Sequence, residues 1–318
     1  MYDIFKLTDR PAEEIFYSKN DPDDKKLGEE VMYAPKYYDE SSVVLIGSPQ
    51  DKGVKRNKGR AGARNAPDEI RAELYKLVTK EKIEHLNLFD IGDIKIQSSL
   101  EETHAIQEKI IFQLLNDGKR IIVLGGGNDI SYPDCKALSN YNRNLLAINI
   151  DSHPDVRFDI PRNSGTPYRM LLEENLIDGE NFYEIGLKPY ALSTVHENYL
   201  KQKNVPVYTF EKVKETGISI LFDKILSNNR NEVIFWGFDM DSVRGPEAPG
   251  VSAPAPYGFT SDEAVELAKI AGRDKRTKIF EISEVNPVYD IDKRTSKLAA
   301  IMIWSLLNEI NSNENQSH

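Results

Sequence analysis

Asp151, His153 and Asp155 stand at alternate positions directly after the apolar run Leu145–Ile150. Side chains two apart on an extended chain point the same way. The spacing therefore predicts that two carboxylates and an imidazole converge just past the C-terminal end of a buried strand. In open parallel sheets ligands bind at such ends. Carboxylate and imidazole together suit Mn, Zn or Fe. A second apolar run, Val233–Phe238, ends in Asp239-Met240-Asp241 and again puts two carboxylates on one side. Carboxylates left unpaired at a buried strand end repel each other and cost desolvation. A shared cation removes both problems. Either motif alone reads equally as a polar loop with a capping Asp, but two such strand ends in one chain point to a two-metal site.

The elements that must carry these residues alternate along the chain. Core strands are expected at 42–47, 87–93, 120–124, 145–150, 181–186, 205–210, 233–238 and 278–283, each a short apolar run bounded by turn residues. Between them lie helical stretches such as 100–117, where Ile106, Ile110, Ile111, Leu114 and Leu115 share one side. Ser261–Ala271 is another, opened by Thr260 and Glu263 at capping-box spacing. Strands alternating with helices imply an α/β fold in three layers, a mainly parallel sheet with helices on both faces. Residues 1–40 read as an arm over one domain, 41–310, and 311–318 as a polar, frayed tail. Gly125-Gly126-Gly127 reads as a tight strand-to-helix turn or a site wall. The loop 244–258 is too long for a plain connector and marks an active-site loop.

Composition sets the outer limits. The 318 residues are 40% hydrophobic and 29% charged, enough for a sizeable core, and the net charge is −10. That balance argues against nucleic acid or an anionic membrane as the main partner. No apolar run approaches the ~20 residues that span a bilayer. One cysteine, Cys135, allows no intrachain disulfide and suits a reducing cytoplasm.

Four ordered segments then carry a resemblance. Gly125-Gly126-Gly127-Asn128, Asp151 to Asp155, Gly237 to Asp241 and Glu284-Val285-Asn286-Pro287 resemble the segments of the ureohydrolases, the arginase and agmatinase superfamily, and most of all its formimidoylglutamase branch. The loop Ala248–Pro254, with Asp290 and Thr295, matches as well. The resemblance implies two Mn2+ ions bridged by a hydroxide that attacks an amidine-type carbon. Asp151 and Asp239 would bridge the ions, His153 and Asp241 would complete one, and Asp155 with position 128 the other. Glu284 would pair with the cationic nitrogens of a small amidine or guanidine substrate, and Asp155 would relay a proton to the leaving amine. In this branch Arg157 resembles an anchor for a substrate carboxylate, and Ser164 and Thr166 belong to a matching substrate loop. N-formimidoyl-L-glutamate is the implied substrate. Arginase-type release of urea and a non-catalytic relative are the alternatives. The resemblance also suggests a homo-oligomer.

Three positions depart from the family pattern. Position 128 is Asn where the family has a metal-binding His, and an amide oxygen is a weaker Mn ligand than imidazole. The second ion is therefore expected to bind more weakly or to be absent. Asp129 is not a substitute, because adjacent side chains diverge. Gly237 replaces a serine, and Tyr168 stands where arginases place a histidine.

Overall fold

The structure, a computed structural model, describes residues 3–310; the expected polar tail lies outside the described residues. Among the described residues nine strands form one sheet: β1 (Thr8–Asp9), β2 (Val43–Gly47), β3 (Phe89–Ile94), β4 (Arg120–Leu124), β5 (Leu145–Ile150), β6 (Phe182–Leu187), β7 (Val207–Thr209), β8 (Val233–Asp239) and β9 (Thr277–Ser283). Their order is β1-β3-β2-β4-β9-β8-β5-β6-β7. Every pairing is parallel except that of β1 with β3.

Both faces of the sheet are covered, which is why the strands read as continuous apolar runs. Alternation within β8 shows the two sides. Ile234, Trp236 and Phe238 pack with residues of helices Ala66–Leu74, Ile218–Asn228, Ser261–Arg273 and Arg294–Glu309. Val233 and Phe235 pack with residues of helices Leu100–Asn116, Ser131–Tyr141 and Pro167–Glu173. The three-layer α/β fold expected from the alternation of elements is thus the one observed. Local chemistry agrees with it. Thr260 accepts a hydrogen bond from the Glu263 amide while Glu263 reaches back, and Ser99 with Glu102 does the same for Leu100–Asn116.

Residues 3–40 are tied by main-chain hydrogen bonds to the sheet and to the turn after helix Ala66–Leu74. Thr8 registers with Ile94 across β1 and β3, Leu27 N donates to Leu77 O at 2.8 Å and Met32 N to Leu88 O at 2.9 Å. The edge strand β1 is too short to show any alternation, so nothing in its sequence marks it.

Candidate metal centre and substrate cleft

Register places the acids. Leu124, Ile282, Phe238 and Ile150 are paired side by side across β4, β9, β8 and β5. The next residues along, Gly125, Ser283, Asp239 and Asp151, leave the four central strands at one level. The two expected motifs therefore end on neighbouring strands and face one cleft of about 310 Å³. His153, Asp155, Arg157, Ser164, Asp239, Asp241, Ser252 and Glu284 line it, with Asn57, Lys58 and His196 at its sides. Asp151 and Asn128 lie behind this wall, 0% and 1% exposed.

Two ligand sets meet at Asp151. Asp151, His153 and Asp241 form one, and Asp151, Asp155 and Asp239 the other, with the ligand atoms in each within 4.8 Å of one another. Convergence is not reached by extended chain, as the alternate spacing had suggested. The strand stops at Ile150, and Asp155 takes a left-handed backbone with φ of 42°. Glu284, at φ 64°, is held the same way. Left-handed non-glycine residues cost free energy and cluster at functional sites. Main-chain amides fix the outer carboxylates: His153 N donates to Asp151 Oδ1 at 2.8 Å and Asp241 N to Asp239 Oδ1 at 2.8 Å.

The electrostatics are those of an acid cluster short of positive charge. Burial, then the neighbouring Asp241, pushes Asp151 up to about 6. Burial also raises Asp155 and Asp239 well above the carboxylate range, with Asp151 adding to both and Asp241 acting more strongly than Asp151 on Asp239. The Asp241 charge, 3.2 Å from its Nδ1, lifts His153 to about 12. Against the push of burial, that imidazolium holds Asp241 below its ordinary value. Asp241 Oδ1 is buried with no hydrogen-bond partner. A divalent cation shared by these oxygens and His153 would supply the missing charge, so the donors present fit Mn2+.

Asn128 sits beside the second set. Its Nδ2 donates to Asp155 Oδ2 at 2.6 Å and to Asp151 Oδ2 at 3.2 Å. Asp129 points elsewhere, taking hydrogen bonds from Gln50 Nε2 at 2.7 Å and pairing with His104 Nε2 at 2.7 Å. Glu284 Oε1 accepts from the main-chain N–H of Asn128 at 2.9 Å, its Oε2 accepts from the Ser252 hydroxyl, and burial pushes the carboxyl up to about 8. The sequence marked the loop of Ser252 but not this contact.

At the mouth, Arg157 is exposed and its amide donates to Gly165 O at 2.9 Å, which ties it to the expected substrate loop. Ser164 Oγ accepts from Asn57 Nδ2 at 3.0 Å. Thr166 is not part of the cleft wall. It is 2% exposed and its Oγ1 is engaged with Asn163, accepting from N at 3.1 Å and donating to O at 2.9 Å. The loop match included it, but a side chain turned onto its own turn cannot reach a ligand. Asn57 and His196 are cleft residues without a sequence signal. Both come from short elements that the apolar pattern does not show.

Two departures from the family pattern touch each other. A Cβ on Gly237 would stand 2.6 Å from Tyr168 Oη. Tyr168 is fully buried and stacks on Phe182 with ring centroids 4.7 Å apart. Glycine at 237 makes room for the phenol, which lies in the core and not in the cleft.

The arginase-family model matches residues 41–308. This chain belongs to the arginase family. A formimidoylglutamase of Staphylococcus haemolyticus is 33% identical over 274 residues, 85% of this chain and 86% of its own. Trypanosoma cruzi formiminoglutamase, solved in its Mn2+2 form, is 31% identical with a TM-score of 0.84 and is matched over 98% of its chain and 90% of this one. A variant of that enzyme with histidine in place of one asparagine, also in its Mn2+2 form, aligns with a TM-score of 0.85 at 31% identity over the same shares. The arginase-family fold is thus shared with an enzyme solved in its Mn2+2 form.

Proposed function

We propose that this arginase-family enzyme hydrolyses N-formimidoyl-L-glutamate to L-glutamate and formamide. The observation that carries the reading is the polarity of the cleft. Its floor is acidic, with two ligand sets meeting at Asp151 and Glu284 beside them, and its mouth presents Arg157. A substrate with an amidinium at one end and carboxylates at the other fits that gradient. The relatives named formimidoylglutamase, at 33% identity, support the same substrate.

Asp151, His153 and Asp241 would hold one Mn2+ and Asp151, Asp155, Asp239 and Asn128 the other; bound there, the ions would lower the pKa of water and supply a nucleophile near neutral pH. The protein's own groups do the rest. Glu284, poised near 8, becomes a full carboxylate beside an amidinium and orients the reacting carbon over the floor. Arg157 grips a carboxylate of the glutamate moiety. Water oxygen joins the formimidoyl carbon, the bond from that carbon to the glutamate nitrogen breaks, and Asp155 takes the proton given up by the water and passes it to the leaving amine. Trypanosoma cruzi formiminoglutamase is described in its Mn2+2 form both unsubstituted and with one asparagine changed to histidine. Both forms support Mn2+ as the metal of this site. The single cysteine, buried Cys135, suits a reducing cytoplasm.

The test is a product assay on Mn2+-loaded protein with N-formimidoyl-L-glutamate, L-arginine and agmatine offered separately. Formamide and glutamate from the first, without urea from the others, is the expected result. Urea release, or no turnover of any of the three, would overturn the reading.

A further inference from the structure

The side chain of Asn128 presents the wrong atom to a cation. Its nitrogen faces Asp151 and Asp155, while its Oδ1 faces the hydroxyls of Ser131 and Ser283, each at 3.0 Å. An amide ligates a hard cation through oxygen, because its nitrogen carries two protons and no free lone pair. Turning the amide half a circle about its last bond exchanges the two atoms with almost no change of shape. Oδ1 would then lie between the carboxylates, and the two N–H groups would need acceptors on the other side.

Ser131 is built to be one. It has a single proton and two acceptors within reach, Glu281 Oε1 at 2.6 Å and Asn128 Oδ1 at 3.0 Å. One proton cannot serve both, and the shorter bond goes to Glu281. With its proton directed at Glu281, Ser131 turns lone pairs toward Asn128, where an oxygen is repelled and an N–H is welcome. Glu281 is fixed in turn from the core. It is fully buried beside Asp134, whose Oδ1 accepts from Gln107 Nε2 at 2.8 Å, and Gln107 Oε1 accepts from Ser48 Oγ at 2.8 Å. We infer that Ser131, backed by Glu281, is a positioning residue that turns the Asn128 amide so that its oxygen faces the second cation. Metal-binding histidines are oriented by a partner on the far ring nitrogen, and loss of such a partner typically lowers metal affinity 10–100-fold. Here a serine and a buried carboxyl do the same for an amide.

The inference rests on the two-ion reading above, and its test separates the two. Chelator-stripped protein is titrated with Mn2+ in a calorimeter, with folding checked by circular dichroism. Ser131→Ala should weaken the second ion about tenfold and leave the first, at His153 and Asp241, within about twofold. In an Asn128→Asp background the ligand offers oxygen in either orientation, so Ser131→Ala should then change the second ion by less than about twofold. Glu281→Gln keeps an acceptor for Ser131 and should bind like the parent, while Glu281→Leu should lose about tenfold. If Glu281→Leu fails to fold, the serine pair and Glu281→Gln decide. Equal loss from Ser131→Ala in both backgrounds, or no loss beside Asn128, would overturn the positioning role while the two-ion reading stood. A parent that takes one ion overturns the two-ion reading, and the positioning role falls with it.

Discussion

Mn2+ uptake at pH 7 should expel protons from the chelator-stripped protein, at least one of them from His153. The count comes from the environment of each ligand. His153, lifted to about 12 by the Asp241 charge, holds a proton at pH 7 that a metal ligand must lose. Burial raises Asp155 and Asp239 well above the carboxylate range, so each is shifted toward its protonated form. Asp151, near 6, is about nine-tenths ionised at pH 7 and adds about 0.1. Asp241 is held low and adds none. The first ion, at the set with His153, should release about one proton, and the second, at the set with Asp155 and Asp239, more than ordinary carboxylates would. Apparent affinity then rises with pH for both ions, by about tenfold per pH unit for the first. Calorimetry at pH 7 in buffers of different ionisation enthalpy reads the proton number directly from the slope of observed heat against buffer heat. A slope near zero would mean that the acids are already ionised and the imidazole already neutral. The picture of an acid cluster kept neutral by burial would then be wrong.

The remaining predictions follow from the same geometry. Asp155, Asp239 and Glu284 hold protons above the ordinary carboxylate range, and His153 holds one above the ordinary imidazole value. The folded state thus binds more protons than the unfolded one from about pH 4 upward, so stripped protein should lose stability as pH rises toward 8. Saturating Mn2+ should remove that loss; a melting temperature that rises over the same range without metal would refute it. Arg157→Ala should raise KM for N-formimidoyl-L-glutamate about tenfold, the low end for a charged hydrogen bond at an exposed rim, with kcat little changed. A fall in kcat at unchanged KM would remove Arg157 as an anchor. Gly237→Ser should destabilise by about 1–3 kcal/mol through overpacking against Tyr168, and Tyr168→Phe should relieve most of it. Additive urea midpoints in the double variant would show that the two residues do not compete for space.

Much of the fold is readable because burial writes it plainly. β4 and β5 are covered on both faces, and their apolar runs match the observed strands residue for residue. The elements that do not show are those whose apolar face is small. Helix Thr194–Gln202 buries only Tyr199 and Leu200, yet it brings His196 to the cleft. Helix Lys52–Arg56 is a single turn inside a stretch of glycines and arginines. The buried Arg71 is a different case. Its Nε donates to Asp90 Oδ2 at 2.8 Å and it also pairs with Asp93, binding helix Ala66–Leu74 to β3. Nothing in local spacing joins residues so far apart in the chain.

The candidate ligands were legible because a parallel sheet puts neighbouring strand ends on one edge. What the spacing could not supply was the backbone that turns them inward. Asp155 and Glu284 both reach the cleft through left-handed residues of a type that disfavours that conformation. The departures from the family are explained only in three dimensions. Gly237 and Tyr168 fall on different strands and helices, and they are two halves of one packing solution, since the phenol fills the space a serine side chain would claim. Asn128 is likewise not an isolated weakness. An imidazole in its place could take a far-side partner on its second ring nitrogen, whereas an amide has two nearly isosteric faces and must be told which to show. Ser131, Ser283, Glu281, Asp134 and Gln107, all buried, stand behind it. A histidine-to-asparagine exchange at a metal centre costs little only where the residues behind it already dictate the orientation of the amide, and that condition is invisible in any single motif.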